Sequence, residues 1–248
     1  MGGRYRVDFV DHGRGTRESL AAGNVIVAAG TMNTLRILLH SRDVVGGLKG
    51  MPTLGRHFSG NGDMRGFWDL NEPGTDLSGG LPSKGGIFLR NAPEPRVVIG
   101  RGSLPSVDAY PIPKPWRERL KRGLVVSGMG IGAMDGVISI KKGKLDIDFD
   151  PANSPIFGRI FETIAEMSTL SGRKVHVSRR PATVHPIGGA CVGTPEKGGV
   201  VDAGGQVYGN PGLFVADAAA LPASTGSPPT LTIAAWAENV AKRFVART

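Results

Sequence analysis

One histidine stands out among the residues that could do chemistry. His185 lies in the segment Thr183-Val184-His185-Pro186-Ile187-Gly188-Gly189. The proline holds the backbone before it extended, which gives the imidazole a defined direction. The two glycines lack side chains and leave room for a flat group beside the ring. Because an imidazole ionises near neutral pH, the segment predicts a proton-transferring histidine, with a hydrogen-bonded structural histidine as the alternative.

Two other candidate sites are weaker. Cys191 lies near His185, but a lone cysteine is more often a small buried apolar residue than a nucleophile. The three aspartates of residues 146–150 have the spacing of the first ligands of a calcium loop. Such a loop needs glycine and glutamate where this chain has Pro151 and Phe157, so these aspartates are better explained as the polar face of a strand. The histidines lack metal-ligand spacing, and we predict no metal site.

A glycine-rich segment resembles a dinucleotide-binding turn. Residues 128–133 read Gly-Met-Gly-Ile-Gly-Ala and follow an apolar strand, which satisfies G-x-G-x-x-A. A helix must follow such a turn, whereas residues 134–136 predict a turn into another strand, 137–140. The segment therefore favours a glycine-rich part of a sheet.

Composition limits the classes of function. The chain has a net charge of +9, but its 30 lysines and arginines are scattered among few aromatic residues, which disfavours nucleic-acid binding. Its 38 glycines and 18 prolines show no repeat, which excludes collagen and indicates tight turns or close backbone approaches. No apolar run is long enough for a transmembrane segment. A single cysteine makes a cytoplasmic location the default, with secretion open if the natural chain begins upstream of Met1.

The elements that would position His185 are a mixture of strands and helices. Residues 24–30 predict a short apolar strand that ends at Gly30, and the leucine spacing after it predicts a helix over 31–41. A ligand can bind where such a helix begins. Short strands and turns follow. The remaining predicted elements are strands at 5–10, 67–70, 86–89, 97–99, 124–127, 137–140, 145–149, 200–201, 206–208 and 213–216, and helices at 116–122, 155–170 and 230–247.

Several of these pieces occur in a recognisable order. After the His-Pro-x-Gly-Gly loop come the turn Gly199-Val200-Val201-Asp202, a strand that ends at Asp217, and a proline-containing turn, residues 226–233, into the last helix. This order resembles the C-terminal signature of the glucose–methanol–choline (GMC) oxidoreductases, most closely their cholesterol oxidase-like branch. Residues 54–63 resemble the connection into the substrate domain of that branch.

The resemblance implies a fold. It predicts a mixed α/β (α+β) chain, with a partial FAD-binding Rossmann-like domain at 1–50 and 183–248 and an inserted antiparallel-sheet substrate domain at 51–182. The G-x-G-x-x-G turn that seats the FAD pyrophosphate in this family is not found in the sequence. We therefore expect the N-terminal FAD-binding segment to be lacking and the isolated chain to hold FAD weakly. The alternative is a catalytically silent fragment or subunit that needs an N-terminal FAD-binding partner.

The resemblance also implies cofactor contacts. Asp217 and Ala218 are expected at the flavin ribityl or pyrophosphate oxygens, and Ala29 and Gly30 at the adenine side. Thr230, at the start of the last helix, is expected to present its N–H group to the flavin pyrimidine. Pro229 suits the beginning of this helix because an N–H group is dispensable there.

The implied reaction is oxidation of a CH–OH group by hydride transfer to flavin N5. His185 would accept the hydroxyl proton, and Asn61 and Pro228 are the predicted substrate contacts. Relatives carry asparagine where this chain has Pro228, and proline has no amide to hold the reacting oxygen. The expected substrate is a small apolar alcohol or a sterol-like compound, with no nucleic acid and no transmembrane segment.

Overall fold

The computed structural model describes residues 4–81, 83, 85–88, 94–178 and 180–247. The strands are β1 (Tyr5–Asp11), β2 (Thr16–Ala22), β3 (Val25–Val27), β4 (Phe58–Ser59), β5 (Met64–Asp69), β6 (Gly85–Phe88), β7 (Val98–Gly102), β8 (Gly123–Met129), β9 (Val137–Lys141), β10 (Lys144–Asp148), β11 (Val175–Val177), β12 (Ile187–Gly188) and β13 (Leu213–Val215). The α-helices are α1 (Thr31–Leu39), α2 (Lys114–Lys121), α3 (Pro155–Ser171) and α4 (Thr230–Val245). A π-helical turn at His40–Val44 follows α1, and 3-10 turns lie at Val107–Ala109, Pro151–Asn153, Pro195–Lys197 and Ala218–Ala220.

The largest sheet is antiparallel, with the strand order β11-β5-β8-β7-β6. Side chains alternate along its strands, so one face is apolar and packs against α3 through residues such as Val126 and Ile160, both 0% exposed. Close packing explains the glycines of residues 128–133. A Cβ atom on Gly128 would lie 2.4 Å from Ile160, and one on Gly130 would lie 2.2 Å from Ile156. These glycines let α3 approach the sheet, which supports a sheet segment over a dinucleotide turn.

A second core surrounds a parallel pair of strands. β3 pairs with β13 in the register Val25↔Leu213, and α1 follows β3 through Gly30. Leu35 and Leu38 of α1 are 0% exposed in this core. The predicted element of strand, glycine and helix is confirmed.

The two regions meet where β12 pairs with β4, in the register Ile187↔Ser59 and Gly188↔Phe58. A Cβ atom on Gly188 would lie 2.0 Å from the carbonyl oxygen of His57, and one on Gly189 would lie 2.5 Å from Leu35. The prediction that these glycines leave room for a flat group is therefore wrong. Protein atoms fill the space, and the glycines allow the histidine loop to pack tightly.

Some predicted elements take another form. Residues 200–201 and 206–208 make only isolated bridges, such as Val201↔Val207, because this segment turns too often for continuous pairing. The predicted strand at 86–89 is present as β6, and Leu89 lies outside the described residues.

The domain division at residues 50 and 182 stays a prediction. Met51, Leu54 and Phe58, together with Ile138 of β9, are buried in the same core as α1. Within the described part of the chain, no helix combines the length and the apolar character needed to cross a membrane.

Candidate active site

A cavity of about 490 Å³ lies between the histidine loop and the large sheet. Its lining includes His185, Asp63 and Pro228, together with Ser127 and Met129 of β8. The cavity therefore brings together two predicted site residues, His185 and Pro228, and adds a carboxylate to which the sequence analysis gave no role.

His185 and Asp63 form a buried pair. The Nδ1 atom of His185 lies 2.6 Å from Oδ2 of Asp63, and the side chains are 21% and 4% exposed. Thr183 supports both partners: its hydroxyl donates to Oδ2 of Asp63 over 2.9 Å and accepts from the His185 backbone N–H over 2.8 Å. The Thr31 hydroxyl donates to the carbonyl of Pro186 over 2.6 Å. The imidazole is thus fixed from its own loop and from α1.

The charge of Asp63 determines which nitrogen of the His185 imidazole carries the hydrogen. Burial raises the pKa of Asp63, and the neighbouring His185, the hydrogen bond from Thr183 and the nearby Arg65 oppose that rise. An ionised carboxylate can only accept hydrogen bonds, so Nδ1 of His185 carries the hydrogen when Asp63 is charged. Nε2 is then an unprotonated acceptor, and it has no hydrogen-bond partner among the residues described. This arrangement provides a general base.

Strand pairing explains why two residues 122 positions apart meet. The antiparallel pairing of β12 with β4 ends at Ile187↔Ser59, and it brings the histidine loop beside the residues that follow β4. A tight turn at residues 60–63 brings the carboxylate back toward the loop. Gly62 has φ 65°, and a Cβ atom there would lie 2.2 Å from the carbonyl oxygen of Gly130. The sequence signal for Asp63 was its place in the family-like segment 54–63, but its partner depends on long-range pairing.

Asn61, a predicted substrate contact, is 0% exposed. Its Oδ1 accepts from the backbone N–H of Thr225 over 2.8 Å and from the Ser224 hydroxyl over 2.9 Å, and its Nδ2 donates to the Ser227 carbonyl over 2.9 Å. These contacts engage both the oxygen and the nitrogen of the Asn61 carboxamide. Asn61 holds the loop that carries Pro228 into the cavity, so its observed contacts are those of a positioning residue.

Asp217 and Gly30 meet at the carboxyl ends of β13 and β3. One carboxylate oxygen of Asp217 accepts from the Gly30 N–H over 2.9 Å and from the Thr34 hydroxyl, and the other accepts from the Ala219 N–H over 2.9 Å. Ala29 joins this network through its N–H group, 3.2 Å from the Thr34 hydroxyl. Gly30 has φ 77°, and a Cβ atom there would meet nothing within 4 Å. The network shapes the start of α1 and leaves open space beside it.

The first turn of α4 lies near the same loops. Pro229 is buried and precedes the helix, Thr230 is exposed, and no side chain caps this end. The Trp236 indole N–H donates to the carbonyl of Val215 over 3.1 Å, which fixes the helix against β13. A small apolar cluster joins the histidine loop, the segment after β13 and α4; its members are Ile187, Ala218, Leu221, Met134, Ile233 and Trp236.

The structure supports the plain interpretations of two weaker candidates. Cys191 is buried, and burial raises the pKa of its thiol, as expected for a structural cysteine. The aspartates of β10 belong to a two-stranded hairpin, where Asp146 forms an ion pair with Lys141 over 2.6 Å.

A histidine fixed by a carboxylate in a cavity, with Pro228 just before α4 in the cavity wall, is an arrangement suited to an enzyme active site. Comparison with known families agrees. Residues 159–237 match the family model for the C-terminal domain of GMC oxidoreductases. This match confirms the resemblance predicted from the sequence over that segment.

Two known proteins illustrate the relationship. Cholesterol oxidase from Mycobacterium tuberculosis, strains H37Rv and CDC 1551, is 34% identical over 143 residues, which cover 52% of this chain and 24% of the relative. The solved structure of pyridoxine 4-oxidase from Mesorbium loti matches with a TM-score of 0.65 and 19% identity, over 97% of this chain and 54% of that chain. This second similarity shows the fold alone, and it confirms the mixed α/β class.

The chain spans about a quarter of its curated relatives and about half of the matching structure. The family model and the relatives that the chain matches are those of oxidoreductases. They give no support to an FAD-binding segment supplied in trans.

Proposed function

We propose that this chain belongs to an FAD-dependent oxidoreductase that oxidises a CH–OH group, with His185 as the general base. The observation that carries the proposal is the pair of Asp63 and His185 at the cavity. The carboxylate holds Nδ1, which leaves Nε2 available to a substrate hydroxyl. The family assignment supplies the class of reaction.

The residues of this chain handle the proton. A hydroxyl in the cavity donates a hydrogen bond to Nε2 of His185 and passes its proton to that atom as the C–H bond breaks. Asp63 stabilises the resulting imidazolium through the hydrogen bond at Nδ1. When FAD is bound, its isoalloxazine ring supplies the acceptor for the hydride that leaves the alcohol carbon.

The described residues fit parts of an FAD molecule. The open space beside Gly30 and Ala29 can receive a nucleotide at the start of α1, where unpaired N–H groups favour negative charge. The uncapped first turn of α4, with Pro229 before it, leaves the N–H of Thr230 available to a flavin carbonyl oxygen. We propose these contacts together with the backbone of Ala218.

We propose that Asp217 positions other residues and does not contact the cofactor through its side chain. Its carboxylate accepts three hydrogen bonds from protein groups, and the side chain is only 6% exposed. It therefore positions Gly30 and the turn of residues 218–220, and we expect cofactor contacts from the backbone around it instead of from its oxygens.

The cavity favours an alcohol with a mainly apolar body. Val125, Met129, Leu104 and Pro105 line it, and Pro228 contributes no N–H group. Pro228 therefore cannot donate a backbone hydrogen bond to the reacting oxygen, and we propose Nε2 of His185 as the partner of the hydroxyl.

The test compares the chain with its His185→Asn variant. Flavin fluorescence at rising FAD concentrations gives the binding constant, and dye reduction at saturating FAD gives the rate of oxidation of primary and secondary alcohols. We expect equal FAD binding and a rate reduced by about 10²- to 10⁴-fold in the variant. Equal rates would remove His185 from catalysis. A wild-type chain that neither binds FAD nor oxidises any alcohol would support the catalytically silent alternative.

A further inference from the structure

We propose that the alcohol carries an anionic group, such as a carboxylate, and that this group binds Arg65 at the wall of the cavity. The placement of the alcohol's hydroxyl at His185 rests on the proposed function. The anion site depends on different residues and can be tested separately.

Strand register places Arg65 on the cavity face of the large sheet. Arg65 of β5 lies opposite Ser127 of β8, and Ser127 lies opposite Gly100 of β7. Cross-strand neighbours point to the same face of a sheet. All three residues line the cavity, so this row runs across its wall.

Gly100 keeps the space in this row open. A Cβ atom added there would lie 3.8 Å from the Ser127 carbonyl and 4.0 Å from the Met129 methyl group, so no heavy atom crowds the glycine. Arg101 also borders the cavity, but it lies opposite Val126, which is buried on the α3 face. Arg65 is therefore the arginine whose side chain leaves the sheet on the cavity side.

The guanidinium of Arg65 is available to a ligand. Arg65 is exposed, and it has no ion-pair or hydrogen-bond partner within the described residues. It is close enough to Asp63 to lower the pKa of that carboxyl, but Asp63 is already bound to His185 and Thr183. A planar guanidinium with free N–H groups suits a carboxylate, which it can bind through two parallel hydrogen bonds.

The spacing defines the shape of the ligand. Asp63 and Arg65 are two residues apart, so their backbone positions differ by about 6.6 Å along an extended chain. His185 is at the Asp63 end. A ligand with a hydroxyl at one end and a carboxylate at the other can therefore contact Nε2 of His185 and the Arg65 guanidinium together, with its apolar part against Val125 and Met129.

One feature favours the opposite charge. Oδ1 of Asp63 is buried without a hydrogen-bond partner among the described residues and could attract an ammonium group. The Asp63 side chain is only 4% exposed, however, while Arg65 is open to the cavity and its solvent. We therefore expect the anion to bind more tightly.

The experiment measures binding of three probes to the purified chain by ligand-observed NMR: 4-(hydroxymethyl)benzoate, its neutral methyl ester and 4-(hydroxymethyl)benzylamine. We expect the benzoate to bind tightest. Arg65→Gln should weaken its binding by about 10-fold or more and leave the ester within about twofold. Arg17→Gln on the exposed β1–β2 hairpin removes the same charge at a distant position in the sequence. This variant should change the binding of neither the benzoate nor the ester. Equal binding of the three probes, tighter binding of the amine, or equal effects of the two variants would overturn the proposal.

A fourth probe separates this inference from the proposed function. 4-Methylbenzoate has no hydroxyl, and its binding should still weaken in Arg65→Gln. If that result is obtained while no alcohol is oxidised at saturating FAD, the anion site stands and the proposed function fails. If alcohols are oxidised but neither benzoate depends on Arg65, the function stands and the anion site fails.

Discussion

Strand β5 has a buried aspartate at each end, and the two residues differ in their partners and in their distance from the cavity. Asp63 lies just before the strand, lines the cavity and binds His185 through Oδ2. Asp69 is its last residue, and its Oδ2 accepts from the guanidinium of Arg119, which is 52% exposed. In the part of the chain that the structure describes, each carboxylate leaves its Oδ1 buried without a hydrogen-bond partner. Burial of a carboxylate is therefore not enough to identify a site.

The difference lies in what the partner can do. An arginine side chain stays protonated at physiological pH, so the Asp69–Arg119 pair can hold α2 against the sheet but cannot exchange protons. His176 also lies near Asp69, but its Nε2 is 3.9 Å from Oδ2, beyond hydrogen-bond distance. His185 can gain and lose a proton, and a cavity adjoins it. Asp63 also lies close to the place where β12 pairs with β4 and the two cores meet, whereas Asp69 lies within the large sheet. The site forms where chain segments from both regions converge.

The largest effect on stability is expected beside Asp63. Gly62→Ala forces a residue with a side chain into positive φ and places its Cβ atom 2.2 Å from a backbone oxygen. We expect the free energy of unfolding to fall by about 2–5 kcal/mol, measured by urea denaturation.

The matched change at the other end is Gly123→Ala, opposite Asp69. Its Cβ atom would lie 2.2 Å from the Phe67 ring, which can partly move away, and 2.5 Å from the Trp68 carbonyl oxygen, but Gly123 is not at positive φ as Gly62 is. The expected loss is smaller, about 1–3 kcal/mol. A greater loss at Gly123 than at Gly62 would contradict the view that the site end is the more constrained.

Asp63→Asn should lower alcohol turnover by about 10²-fold, or about 2.7 kcal/mol in activation free energy, because the amide cannot stabilise an imidazolium by charge. Steady-state rates at saturating FAD provide the measurement. Asp69→Asn is the control, since it changes an equally buried carboxylate far from the histidine. Equal losses in both variants would show that Asp63 acts only on stability.

The ion pair at Asp69 should contribute little to stability. Because half of the Arg119 side chain is exposed, solvent screens the interaction, and Asp69→Asn should lower the free energy of unfolding by about 1 kcal/mol or less. Urea denaturation at low and high salt checks this, and a loss that does not diminish with salt would point to a role beyond the ion pair.

The smallest effect concerns pH. Burial raises the pKa of Asp63 in the folded chain, so its protonated form is favoured there relative to the unfolded chain. This contribution to stability is present below the usual aspartate range and is lost as pH rises through the raised pKa. Asp63→Asn cannot ionise, so its stability relative to the wild type should improve as the pH rises above the usual aspartate range, about pH 4. Unfolding curves across this range measure the difference, and a constant difference would contradict it.

Local signals in the sequence predicted much of the framework. The predicted helix at 155–170 is α3, and that at 230–247 is α4, because apolar spacing and a preceding proline suffice to indicate such helices. The strand, the glycine and the helix around Gly30 were also predicted from local sequence patterns. By contrast, β4 and β12 were not predicted, since each has only two residues and exists through pairing with the other.

For the site, the sequence by itself determined the chemistry of one partner and its loop. His185, the proline after it and the two glycines are contiguous, so their local constraints can be read from residue types. Only the tertiary structure decided that Asp63 holds the imidazole, that Asn61 holds the Pro228 loop, and that Gly188 and Gly189 pack against His57 and Leu35. These contacts join residues more than a hundred positions apart. The contact of Gly188 with His57 follows from the antiparallel pairing of β4 with β12, and no local pattern of side chains encodes that register.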